Sequence, residues 1–384
     1  MATFAPNMGK MRKILFVLFM GLGWTGLLHG QVYSNKVVGE KNAEYIDSLK
    51  HTEEYPYLLP IWGKKVTALG FDIPYSAGFS VNSLTQKSEL LIDNISVGFN
   101  NGPMVNVDEI IRIDEATASA SGLTVRPDIW ILPFLNVYGI FGVAKTSTEI
   151  DAGFWLPDSN NVWTEVVPFG TTANFTAQVT GFGITPTLGV GGGWIALDMN
   201  FAWTDVDALD KPVKTFIFDP RFGKSFKLKK PESNYAIWVG GFRVKFSSET
   251  NGSLVLSDLF PDGDLGAKVD DAIMNVESRQ ESLDSWWGGL SPAEMANPVN
   301  KAKYETGTRA LDKAGQALNA IDGALNDDQE ATVQYSLEKG LKDPWNFIVG
   351  GQYQLNKNWM FRAEYGFLGT RNQFLASLQY RFRL

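Results

Sequence analysis

At 384 residues the chain can hold one large β domain or two ordinary ones, and 44% hydrophobic content with a mean hydropathy of −0.10 is too polar for a helical membrane protein. Aromatics at 13% and 38 glycines suit many strands joined by tight turns. Acidic residues outnumber basic ones, 42 to 34, which argues against a nucleic-acid partner; the lack of cysteine excludes disulfides, thiolate catalysis and cysteine-held metals.

In chain order, Lys10, Arg12 and Lys13 come first, ahead of the apolar stretch ILFVLFMGLGWTGLL, and small Gly30 precedes Gln31. A positive flank, a short apolar core and a small residue predict a cleaved secretory signal peptide over 1–30, with an N-terminal anchor helix as the alternative. No cysteine is there to carry a lipid anchor. Cleavage would leave 31 basic and 42 acidic residues, a net charge of −11 against −8 for the whole chain. Residues 31–65 are polar and proline-bearing, and predict a periplasmic lead-in with one or two helical turns, acting as a passive tether.

Strands are then expected near 77–99, 116–132, 134–149, 173–189, 194–206, 213–228, 235–248 and 252–259. After an interruption they resume near 331–340, 345–354, 359–369 and 373–384, twelve in all, with ten or fourteen as alternatives. In WIALDMNFAWT, Ile195, Leu197, Met199, Phe201 and Trp203 alternate with Ala196, Asp198, Asn200, Ala202 and Thr204. The same period of two sets Phe216, Phe218 and Phe222 against Asp219 and Arg221, and Trp359, Phe361 and Tyr365 against Arg362 and Glu364. At the C-terminus, Phe374, Leu378, Tyr380 and Phe382 oppose Arg381 and Arg383.

A soluble sandwich also alternates, but with strands of roughly 5–6 residues. A membrane barrel uses roughly 9–11 residues per crossing, with lipid-facing and lumen-facing side chains in turn. The long runs here favour the barrel. Trp130, Trp194, Trp203, Trp238, Trp345, Trp359 and Tyr380 fall near strand ends, where rings sit at headgroup level. The expected fold is an all-β membrane barrel: an antiparallel transmembrane β-barrel of about 12 strands (10–14) with an inserted α-helical hairpin.

The tail YQLNKNWMFRAEYGFLGTRNQFLASLQYRFRL resembles the C-terminal hairpins of Gram-negative bacterial outer-membrane β-barrel proteins. RPDIWILPFLNVYGIFG and DPWNFIVGG are similar to barrel segments of this group, and the likeness covers most of 66–260 and 331–384. The resemblance implies a porin-like architecture, outer-membrane lipid as surroundings, and recognition of the last strand by the barrel-assembly machinery. Such final strands commonly end in phenylalanine, whereas this one ends in Leu384.

Residues 262–330 break the alternation. Val269, Ile273, Val276, Leu283 and Trp287, then Leu311, Ala314, Leu318, Ile321 and Leu325, recur at helical spacing. Between them, Ser291, Pro292 and Glu294 form a helix-start signature. A helical hairpin is predicted, with 14 acidic and 6 basic residues. Counting strands back from a periplasmic C-terminus puts it in the periplasm, as a solvated appendage, a lumen plug or a dock for a periplasmic protein.

Little points to chemistry. The two histidines are His29, inside the signal peptide, and His51, in the lead-in, so no base is placed near a barrel serine and no enzyme is expected. GVGGGW reads as a tight turn, and PDGDLGAKVDD departs from a calcium loop beyond Asp262 and Asp264; no cofactor or metal is expected. The candidate functional residues are those that parity aims into the lumen: Asp198, Asn200, Asp219, Arg221, Arg243, Lys245, Gln352, Arg362, Glu364, Arg381 and Arg383. They would either pair into a rigid filling or line a path for small polar solutes.

Overall fold

The computed structural model describes residues 37–51, 55–158, 160, 162–206, 209, 211–246, 249–256, 265–326 and 331–384. The predicted signal peptide with His29 lies outside these residues, as do Asp262 and Asp264. The strands are β1 (Ala77–Phe99), β2 (Val105–Asn106), β3 (Ile111–Leu132), β4 (Leu135–Pro157), β5 (Trp163–Val190), β6 (Gly193–Val206) and β7 (Val213–Lys227). They continue with β8 (Asn234–Phe246), β9 (Glu249–Val255), β10 (Thr332–Leu341), β11 (Trp345–Gln354), β12 (Trp359–Phe367) and β13 (Arg371–Phe382).

Ten strands, all but β2, β9 and β10, pair antiparallel in succession. The ring closes where β13 meets β1, from Ala77–Phe382 to Ser88–Arg371. The number is therefore ten and not twelve. Residues 252–259 and 331–340 are expected inside the ring, but residues 252–255 belong to β9 and 332–340 to β10, with 257–259 outside the described residues; β10 pairs with Leu90–Phe99 of β1, and β9 pairs with β10. Alternation marks a strand but is silent about its partner, so β9 and β10 carry the same sequence signal as the ring strands.

The count carries a second correction. With β10 outside the ring, only β11, β12 and β13 separate the insert from the C-terminus. Three crossings place the helices at the end opposite the C-terminus, where four would have placed them beside it. The insert-bearing end is called the upper end below.

The wall is uneven. Strands β1, β3, β4 and β5 have 23, 22, 23 and 28 residues, whereas β11, β12 and β13 have 10, 9 and 12. A bilayer crossing needs roughly 9–11 residues, so the tall strands project far past it. The hairpin packs on that projection. Helices α3 (Leu265–Gly288) and α5 (Pro298–Leu325) flank the short α4 (Pro292–Met295); α1 (Glu40–Lys50) and α2 (Gly63–Ala68) lie in the lead-in. Val269, Ala272, Val276 and Leu283 of α3 share one cluster with Ala310, Leu311, Ala314, Ala317, Leu318 and Ile321 of α5. Val107, Ile110, Leu156 and Val333 of the strand extension join it, so the hairpin is docked rather than dangling. Arg279 donates to the Leu156 carbonyl at 3.0 Å and to Thr164 at 2.8 Å, and Arg309 pairs with Glu109 at 3.0 Å.

Around the ring, alternate side chains are exposed and apolar: Phe141 at 53%, Ile237 at 55% and Phe361 at 49%, with Phe79, Leu123, Phe182, Phe222, Val349 and Phe374 among the rest. A soluble monomer rarely shows a continuous apolar patch beyond a few hundred Å². This exterior encircles the barrel while the interior is charged, the polarity expected in hydrocarbon.

Candidate functional site: the barrel lumen

Parity sets the lumen wall. On β6, Trp194, Ala196, Asp198 and Asn200 are buried and point inward, and on β7 so do Asp219 and Arg221. Arg221 is the hub, 2.5 Å from Asp198 and 2.9 Å from Asp219, with Glu364 at 4.0 Å. Thr185 donates to Asp198 at 2.8 Å, and the Tyr138 hydroxyl also donates to Asp198 while lying 2.8 Å from the Asn200 amide oxygen. Glu364 accepts from Trp238 Nε1 at 2.8 Å and pairs with Arg362 at 2.9 Å. Across the lumen, Asp128 accepts from Arg381, Gln379 and Asn136, each at 2.8 Å. Three guanidiniums (Arg221, Arg362, Arg381) are thus paired with four carboxylates (Asp128, Asp198, Asp219, Glu364), and a fourth, Arg126, lies 5.5 Å from the Tyr138 ring centre. Buried charges persist only when compensated in this way.

The rings fit because glycines face them. Trp238 pairs with Gly350 and Trp194 with Gly223; a Cβ on either glycine would come within 2.4 Å of the indole. Within this belt of charges and rings a cavity of about 160 Å³ remains, lined by Arg126, Asp128, Asp198, Arg221, Arg362 and Arg381 among others. Above it lies a wider space of about 730 Å³, bounded by inward Gln86, Ala120, Thr146, Phe175 and Gln373 together with their neighbours of outward parity along each strand, Lys87, Lys145 and Phe374 among them. No helix residue lines either cavity, so the hairpin does not form the walls of these two spaces.

Of the predicted lumen residues, Asp198, Asn200, Asp219, Arg221, Gln352, Arg362, Glu364 and Arg381 stand on the inward face. Arg243 and Lys245 do not. They share the outward parity of Tyr235, Ile237 and Val239, and Arg243 lies 5.9 Å from the Trp345 ring centre. Arg383 lies past the end of β13, exposed, donating to the Tyr75 hydroxyl at 2.9 Å; that contact holds its pKa above the ordinary arginine value. Trp130, Trp194 and Trp238, expected as headgroup aromatics, are inward instead: Trp130 and Trp194 line the constriction, and Trp238 packs with Trp194 and bonds to Glu364. Arg126, Asp128 and Tyr138 escaped the sequence reading, although the alternation of Thr124, Arg126 and Asp128 with Val125 and Ile129 carries the signal.

Below the constriction the lead-in folds against the mouth rather than trailing as a tether. Asp72 accepts from Tyr45 at 3.0 Å and pairs with Lys357 at 3.1 Å and Lys227 at 4.0 Å, linking α1 to two barrel elements. Burial, then Asp72, pushes the Tyr45 phenol well above its ordinary value. His51 caps α1, exposed beside Asp47.

No family model and no curated protein matches the chain. Solved structures do: the β domain of the Bordetella autotransporter BrkA is 8% identical, with TM-score 0.28, covering 80% of this chain and 100% of that one. The translocator domain of NalP from Neisseria meningitidis is 9% identical, covering 79% and 89%, with TM-score 0.28. The Ralstonia pickettii toluene transporter TbuX is 8% identical, covering 81% and 90%, with TM-score 0.27. Likenesses this faint carry no weight of their own. The closed ring, the apolar exterior and the charged interior define the class: a β-barrel of the membrane-spanning kind.

Proposed function

We propose that the protein is exported with loss of residues 1–30, crosses the outer membrane, and gives small polar solutes a narrow path without catalysing a reaction. One observation carries this reading: a charged constriction that leaves an open space of about 160 Å³ and leads upward into a wider one of about 730 Å³. Ten strands lie between the side-chain-filled eight-stranded barrel and the open sixteen-stranded porin, which suits a narrow channel.

Planar-bilayer recording tests the reading. Wild-type protein should conduct weakly, and Trp130→Ala with Trp194→Ala, which clears two indoles from the constriction, should raise the unit conductance severalfold. If folded wild type and folded double variant both stay silent, the channel reading fails. The alternative, a docking barrel whose helical insert binds a partner protein, is tested by crosslinking from the hairpin, where a single dominant adduct would favour it.

A further inference from the structure

Arg243 and Lys245 belong to a pattern on the outer face. Lys87 shares the outward parity of Phe79 and Val81 on β1, Lys145 that of Phe141 and Val143 on β4, and Lys214 that of Phe216 and Phe222 on β7. All five cations are exposed. Cross-strand pairing puts them in one band a few residues deep: Lys87 beside Asn372 and Ser119, Lys145 beside Ser121 and Thr176, and Lys214 beside Trp203. Lys245 pairs with Phe216, and Arg243 with Phe218 and Trp345. The row runs along the upper edge of the apolar belt, where each column of oily side chains ends.

Two features separate this row from an ordinary solvated surface. The chain has a net charge of −8, yet among the described residues the carboxylates beside the row are Asp205, Asp343, which accepts from the Thr370 amide at 3.0 Å, and Glu89, two residues above Lys87. Among the described residues none of the five lies within ion-pair distance of a carboxylate, whereas Lys342, a little higher, is taken by Glu89 at 2.7 Å. The opposite edge is built differently: outward Phe79, Tyr380 and Trp359 contact one another, and Phe226 stacks on Tyr235, with Lys224 beside Phe226. A long basic side chain at a lipid boundary covers apolar surface with its stem and carries its charge to headgroup level. Its partner there is a lipid phosphate.

We propose that Lys87, Lys145, Lys214, Arg243 and Lys245 form a docking rim for phosphate-bearing lipid headgroups in the leaflet on the insert's side. The rim rests on the membrane-barrel architecture and stands whether or not the lumen conducts. Native mass spectrometry of the full-length protein in neutral detergent, with phosphatidic acid and phosphatidylcholine in competition, tests it. Wild type should retain phosphatidic acid in preference. Changing all five cations to Gln should abolish the preference, while Lys268→Gln with Lys301→Gln on the hairpin should keep it. If the fivefold variant does not fold, Lys87→Gln with Lys145→Gln and Arg243→Gln with Lys245→Gln serve separately, each lowering the preference by about fivefold or more. Equal retention of the two lipids by wild type, or a preference that survives loss of the rim cations, overturns the proposal.

Discussion

The ring and the cap of this molecule obey opposite rules. In the ring, Phe141, Ile237 and Phe361 face outward while Asp198, Arg221 and Glu364 are buried. In the cap, Leu283, Leu311 and Leu318 are buried while Glu281, Glu305 and Lys301 stand in water. Each region hides whatever its surroundings reject. One polypeptide therefore carries two solvent assignments, and the boundary between them runs across β1, β3, β4 and β5.

The strongest way to break that contrast is to orphan the buried charges of the ring. Arg221→Leu leaves Asp198, Asp219 and Glu364 without their hub and should cost about 3–5 kcal/mol, read as a lowered urea midpoint in detergent or lipid. Reversing the exterior comes next. Phe361→Arg on the lipid face should destabilise by about 2–4 kcal/mol if it lies near the bilayer midplane, less near an edge. In the cap the same reasoning inverts: Leu283→Ala should cost about 2–5 kcal/mol of cap stability, seen as faster proteolysis of α3, with the heat-resistant band of the ring unchanged.

The smallest effect tests how the cap is fastened. Hydrogen bonding to Arg309, ahead of Lys313, holds the Glu109 carboxyl below its ordinary value of 4.5. A depressed folded-state pKa means the contact contributes fully above the unfolded value and is lost as pH falls through the folded one. Amide exchange at α5 should therefore quicken as pH drops below about 4.5, and Glu109→Gln should remove that dependence, its effect kept small by solvent screening.

Strand positions were legible because a period of two over long runs needs no tertiary information. Which strand pairs with which was not. Residues 331–340 alternate as ring strands do, yet β10 joins the upper half of β1 outside the ring, a choice fixed by contacts far away in sequence. The misplacement of Arg243 and Lys245 has a local cause. An outward Trp238 forces odd-numbered neighbours inward, and tryptophan is an ordinary headgroup residue. Here Trp238 is 3% exposed, bonded to Glu364 and lying over Gly350, while Gly240 and Gly241 offer no side chains that would reveal the parity. The inward charges of β6, β7, β12 and β13 could be read off because their apolar partners are unbroken.

The long strand β1 joins β13 along its lower half and the cap's sheet along its upper half. Anything that pulls on the cap thus shears the seam that shuts the cylinder, and the terminal residues of the chain act as its latch.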